Sequence, residues 1–97
     1  MAGWRLSSEG EYPLTLRLPA GSVSTLGRTA RADFIVDAPL VSRLHCRLTA
    51  DTSHQLIVED LGSTNGTQVN SRTVSRSLLK AGDRVTVGRV EFTVEEG

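Results

Sequence analysis

The stretch Arg84–Val94, RVTVGRVEFTV, decides the fold. Val85 and Val87 stand two positions apart, and so do Val90, Phe92 and Val94. Side chains alternate across a β-strand, so this period of two puts the apolar set on one face and describes half-buried strands. PLTLRL repeats the pattern near the other end with Leu14, Leu16 and Leu18. Between them lie shorter apolar segments, VSTLG, DFIV, CRLTA and QLIVE, separated by the turn formers PAG, DAP, STNG and KAGD. About ten short strands at this spacing predict an all-β sandwich. RSLLKAG alone departs: Leu78 and Leu79 ahead of AGD read as a tight connection of at most one helical turn. The sole tryptophan, Trp4, is expected in the core or at the core edge of the first strand.

Composition narrows the function. The chain of 97 residues is read as one domain, residues 1–97, near the size at which a single core is adequate. Lys+Arg and Asp+Glu number 11 each, so the net charge is zero and the field that drives non-specific nucleic-acid binding is missing. No direct nucleic-acid partner is expected, although a local basic spot remains open. Cys46 has no second cysteine to pair with, and cysteine–histidine zinc spacing is absent, so neither a disulfide nor a metal is expected. No stretch of MAGWRLSSEGEYPLTLRL is apolar for signal-peptide or membrane length, and no Gly follows Met1. These features predict a soluble intracellular chain, cytoplasmic or nuclear, with no membrane partner. Because VEEG follows directly on a strand, the domain is expected to be a module of a longer protein.

Function on a sandwich tends to sit in loops at one end. Three loops carry unusual polar content. In TLGRTARAD, Gly27 is followed at once by Arg28; PLVSRLHCRL brings Ser42, Arg43 and His45 together; DLGSTNGT packs Ser63, Thr64, Asn65 and Gly66 into one turn. Asn-Gly alone reverses a chain well, so the extra hydroxyls call for an account. Each residue has a structural reading too: a surface arginine, a turn-capping serine, a core histidine, turn residues bonding their own backbone. An enzyme would use Ser42 or Cys46 as nucleophile with His45 as base, but no third orienting group is evident. A nucleotide-binding P-loop is absent, and the only lysine, Lys80, lies elsewhere.

Taken together, "GR", then "SRLH", then "DLGSTNGTQVN" in this order and spacing resemble the forkhead-associated (FHA) domain. The resemblance runs from the first strand to RVTVGRVEFTVE. It implies an FHA-type β-sandwich of about eleven strands, with loops clustered at one end that bind phosphothreonine. No catalysis and no cofactor are implied; the partner is a phosphothreonine-containing protein or peptide recruited after kinase action.

Residue by residue, the resemblance makes Arg28 the main charged ligand of the phosphate, Ser42 a hydroxyl donor, and Arg43 a main-chain donor or second positive charge. Thr64 approaches the phosphothreonine, and Asn65 holds the peptide backbone just after it. Phosphothreonine brings about −1.5 to −2 charges and three acceptor oxygens, which suits a fork of such donors. His45 is assigned to tying the loops together, Gly27 and Gly66 to backbone freedom, Asp60 and Ser63 to satisfying N–H groups of the long turn, and Asn70 to bracing the next turn. Where the family often continues "VNG", this chain has Val69, Asn70 and Ser71, which puts the shape of that turn in question. Arg31, Arg72 and Arg76 are candidates for reading flanking acidic residues. The alternative is a phosphate-independent interaction or dimerisation module using a sheet face or edge of the same fold.

Overall fold

The computed structural model describes residues 3–97 and contains eleven strands among them. They are β1 (Trp4–Ser8), β2 (Leu14–Leu18), β3 (Ser22–Gly27), β4 (Phe34–Ile35), β5 (Cys46–Ala50), β6 (Leu56–Asp60), β7 (Thr67–Val69), β8 (Arg72–Val74), β9 (Arg76–Leu79), β10 (Arg84–Val87) and β11 (Val90–Glu96). Two sheets form, in the orders β2-β1-β11-β10-β7-β8 and β4-β3-β5-β6-β9. Only β3 and β4 run parallel among the registered pairs; the rest are antiparallel.

RVTVGRVEFTV is the β10–β11 hairpin, with Val85 opposite Phe92 and Val87 opposite Val90. Their alternation matches burial: Val85, Val87, Val90, Phe92 and Val94 all face the core, which Leu6, Leu16, Leu18, Leu26, Leu48, Leu56 and Val58 complete from both sheets. Phe92 is fully buried, so truncation to alanine would cost about 3–5 kcal/mol from lost transfer energy and the cavity left behind. Trp4 is buried at the core edge, and its ring stacks on His54 of the β5–β6 turn with centroids 5.3 Å apart.

RSLLKAG corrects the reading of its leucines. Arg76–Leu79 is a strand, not a helical turn, paired with β6 through Leu56 opposite Leu79 and Glu59 opposite Arg76. Adjacent leucines hid the alternation because only Leu79 is buried; Leu78 points out of the sheet and is 56% exposed. Without β9, the edge of β6 would be left unpaired.

Connectivity sorts the loops. The β3–β4, β4–β5 and β6–β7 connections meet at one end. The β5–β6, β7–β8 and β9–β10 turns lie at the other, together with Gly3 and Gly97, whose main chains bond each other.

Candidate functional site

β3 ends at Gly27, and the chain turns immediately into Arg28. Gly27 is not at positive φ; the reason for glycine is steric, since a Cβ there would lie 2.1 Å from the Arg43 carbonyl oxygen. The expectation of backbone freedom at Gly27 is therefore replaced by one of close approach. Packing Gly27 against Arg43 lets the Arg28 N–H donate to the Ser42 carbonyl at 2.9 Å, and Arg28 Nε donate to the Val41 carbonyl at 2.9 Å. The guanidinium is thus anchored through Nε, which leaves its two terminal NH2 groups as a fork.

The β4–β5 connection reaches this point through Leu40, whose φ of 70° is unusual for a bulky residue. Asn65 Nδ2 donates to the Leu40 carbonyl at 3.1 Å and so ties the β6–β7 turn to that strained position. Ser42 makes a second tie, its Oγ accepting from the Thr64 N–H at 3.0 Å. With that lone pair engaged, the serine hydroxyl keeps its hydrogen to donate.

His45 lies beneath both ties and is fully buried. Nδ1 accepts from the Ser42 N–H at 3.0 Å, so Nε2 carries the ring hydrogen and donates to the Gly66 carbonyl at 2.8 Å. Its main chain adds bonds from its N–H to the Leu26 carbonyl and from the Leu61 N–H to its own carbonyl. One side chain therefore joins the β4–β5 and β6–β7 loops, in keeping with the role expected of it.

DLGSTNGT folds around the Asp60 carboxylate. It accepts from the N–H groups of Gly62 and Ser63, each at 3.0 Å, from Ser63 Oγ at 2.5 Å and from Thr67 Oγ1 at 2.8 Å. Ser63 Oγ in turn accepts from the Gly66 N–H at 2.9 Å, and Gly66 takes a φ of 84°. Partial burial alone would raise the Asp60 pKa; the hydrogen bonds from Ser63, Thr67 and Gly62 outweigh it and hold the carboxyl below its usual range. The crowding of this turn is therefore a carboxylate with its donors, on which Thr64 and Asn65 are carried outward.

An open cleft of about 760 Å³ lies between these loops. Arg28, Ser42, Arg43, Thr64 and Asn65 all line it, and Arg31 stands at its wall, so three arginines border a cleft without one carboxylate in its lining. This is the local basic spot that zero net charge left open. Gly27, His45, Ser63 and Gly66 support it from beneath. Asn70 does not belong to it: at the far end of β7, its Nδ2 donates to Asp83 Oδ1 at 3.0 Å and its Oδ1 accepts from the Arg84 N–H at 2.9 Å. Asn70 braces the β7–β8 turn against the β9–β10 turn instead. That turn keeps positive φ at both Asn70 (51°) and Ser71 (71°), the two-residue hairpin geometry, despite the missing glycine. Of the flanking arginines, Arg31 alone reaches the cleft; Arg72 follows the Asn70 turn and Arg76 lies across from Glu59 in the sheet.

Neither nucleophile–base pairing is assembled. Ser42 meets His45 through its main-chain N–H, while its Oγ is bonded to Thr64. Cys46 is fully buried, and burial, reinforced by the Asp60 charge, pushes its thiol up to about 12. The Val41 and Leu40 carbonyls that hold Arg28 and Asn65 escaped the sequence reading, since a main-chain acceptor leaves no mark in residue type. Thr67 escaped it as well; its place directly after the Asn-Gly turn was the available signal.

The FHA domain family model matches residues 24–88, about two thirds of the chain. A curated relative, the ABC transporter ATP-binding/permease protein Rv1747 of Mycobacterium tuberculosis, is 37% identical over 87% of this chain and 10% of its own length. The chain spans at most about half the length of this and the next curated relatives it matches. Among solved structures, one described under phosphothreonine-dependent FHA domain interactions is 31% identical, with a TM-score of 0.86 over 96% of this chain and 95% of the other. Mycobacterium tuberculosis EmbR in complex with a low affinity phosphopeptide is 29% identical, with a TM-score of 0.80 over 98% of this chain and 24% of the other. Fold, motif order and family match agree: the chain belongs to the FHA domain family.

Proposed function

We propose that the cleft binds a phosphothreonine in an extended peptide and that the domain recruits kinase-modified partners without catalysing a reaction. The observation that carries this reading is the way each polar group is already committed on its inner side. Arg28 is held through Nε, Ser42 through its oxygen lone pair and Thr64 through its N–H. What remains toward the cleft is a guanidinium fork, a hydroxyl hydrogen and the Thr64 hydroxyl, a donor set suited to a dianionic phosphate. Pre-organisation lowers the ordering cost on the domain's side, and the peptide carries most of what remains. Asn65 uses one amide hydrogen on Leu40, leaving Oδ1 and the second hydrogen to bracket a peptide group of the ligand.

Arg43 adds positive charge at the cleft, and Arg31 is placed to meet an acidic residue flanking the phosphothreonine. The complex of EmbR with a low affinity phosphopeptide supports phosphopeptide binding by this domain, by likeness of fold, and not the roles of individual arginines. Because the relatives are much longer, the chain is read as a single FHA domain, residues 1–97, serving as one module of a larger protein. No helix among the described residues is long and apolar enough to cross a membrane. We place the reader where protein kinases act, inside the cell, in cytoplasm or nucleus.

The test is fluorescence polarisation against oriented phosphothreonine, phosphoserine and unmodified threonine peptide libraries. Saturable binding to the phosphothreonine set is the expected result. Silence from all three in a folded sample would remove the reading and leave the phosphate-independent module in its place.

A further inference from the structure

The two outer sheet faces differ. On the six-stranded sheet, the outward positions of β1, β11 and β10 are Arg5, Ser7, Glu91, Thr93, Glu95, Arg84 and Thr86, polar throughout. On the five-stranded sheet, the register sets Val23 opposite Thr49, Thr49 opposite Ile57 and Ile57 opposite Leu78, one row across β3, β5, β6 and β9. Its ends are the most exposed large apolar side chains among the described residues, Val23 at 60% and Leu78 at 56%. The next row toward the cleft is Thr25, Arg47, Glu59 and Arg76, with Arg47 bonded to Glu59 at 3.0 Å and Arg76 3.9 Å from the same carboxylate.

We propose that this face joins two copies of the chain about a two-fold axis that runs parallel to the strands between β5 and β6. Such an axis exchanges β3 with β9 and β5 with β6. Val23 then faces the partner's Leu78, and Thr49 faces the partner's Ile57. In the charged row, Arg47 faces the partner's Glu59 and Glu59 the partner's Arg47. Arg76 faces the partner's Thr25, whose N–H and hydroxyl both hold the Asp33 carboxylate. The pattern is thus self-complementary in apolarity and in charge, which an isologous contact requires. Sheets packed this way lie with their strands nearly aligned.

Four strands about 4.8 Å apart and two residue rows about 7 Å apart describe a face of roughly 270 Å² per copy. That is about a third of the usual interface share of roughly 800 Å² per partner, so the dimer is weak and concentration-dependent. An axis parallel to the strands leaves both clefts at the same end. Resting on the phosphothreonine reading above, the dimer is a bivalent reader, for which a second phosphothreonine on the same partner binds as an intramolecular event.

Sedimentation equilibrium of the chain, from about 10 μM to 1 mM, reads the association directly. The mass should rise toward that of a dimer, Leu78→Lys should hold it at the monomer, and Glu59→Arg should weaken association by setting like charges face to face. Arg47→Glu combined with Glu59→Arg should restore it, because the swap keeps both facing 47–59 pairs opposite in sign. A chain that stays monomeric throughout, or a dimer indifferent to these changes, overturns the proposal. Singly phosphorylated peptide should bind Leu78→Lys and the parent equally, while a doubly phosphorylated peptide should favour the parent at least tenfold. If neither peptide binds either protein, the cleft reading fails while the sedimentation result still decides the dimer.

Discussion

Ser42 Oγ accepts a hydrogen bond from the Thr64 N–H at 3.0 Å, across 22 residues of sequence. This bond makes the β4–β5 and β6–β7 loops one wall, and it fixes which group each residue offers to a ligand. The Thr64 N–H is consumed within the protein, so its hydroxyl is the donor left for a ligand. Ser42 is consumed as an acceptor, so its proposed contact with a phosphate is as a donor.

Arg28→Ala removes the one guanidinium anchored by a main-chain carbonyl. A hydrogen bond between charged groups contributes about 1.5–3 kcal/mol, so two lost bonds predict at least a hundredfold weaker phosphothreonine binding. The anchor to Val41 is a single part-buried hydrogen bond, and the melting temperature should move by only a few degrees. Isothermal titration and a thermal melt on the same sample check both halves. Retained affinity in a folded variant would show that Arg28 is not the phosphate ligand.

His45→Ala and Asn65→Ala should separate the brace from the ligand. His45 is fully buried with two side-chain hydrogen bonds, and its loss leaves a cavity with the Ser42 N–H and the Gly66 carbonyl unpaired. The expected cost is about 3 kcal/mol, on the order of 15 °C in melting temperature, with weaker binding as well. Asn65 has one exposed bond to Leu40, so its removal should cost under about 1 kcal/mol while binding falls roughly tenfold. Equal losses of stability in the two would abolish the distinction.

The sequence was readable where period and motif coincide with burial. Val85 to Val94 alternate because one face is core, and "GR", "SRLH" and "STNGT" converge because β3, β5 and β6 are neighbours in one sheet. It was misleading where adjacent residues of one kind face opposite ways: Leu78 and Leu79 look helical until β6 is seen to need a partner. Asn70 was expected as a turn brace, and what the sequence hid was how far that turn lies from the cleft. It follows the cleft motif closely in sequence, but the three residues of β7 carry it to the opposite end of the sandwich. The carbonyls of Leu40 and Val41 had no signature at all, since any residue can supply them.

Ser71→Gly should stabilise the domain. Ser71 sits at φ 71°, where a side chain costs about 1–2 kcal/mol; the greater freedom of glycine in the unfolded chain offsets about 0.4–1 of this. A net gain near 0.5–1 kcal/mol corresponds to a few degrees in melting temperature. Binding should not change, because the Asn70–Ser71 turn lies at the far end from the cleft. A changed affinity would show that this turn communicates with the binding loops.

Two acid transitions should separate in pH. Binding should weaken first, as pH falls through the second phosphate ionisation near 6 and the ligand loses its dianion. Asp60 stays ionised through that range, because the hydrogen bonds from Ser63, Thr67 and Gly62 hold its folded-state pKa below the ordinary carboxylate value. Its sign follows from linkage. A depressed folded pKa contributes stability that is fully present above the unfolded value near 4 and lost as pH falls through the folded one. Asp60→Asn should therefore lower the melting temperature at pH 7 and flatten its decline below about pH 4, while leaving the apparent ionisation that governs phosphopeptide binding near 6. Melting curves and polarisation titrations from pH 3 to 8 measure the two separately. An apparent binding ionisation that moved with Asp60→Asn would place the titrating group in the protein rather than in the phosphate.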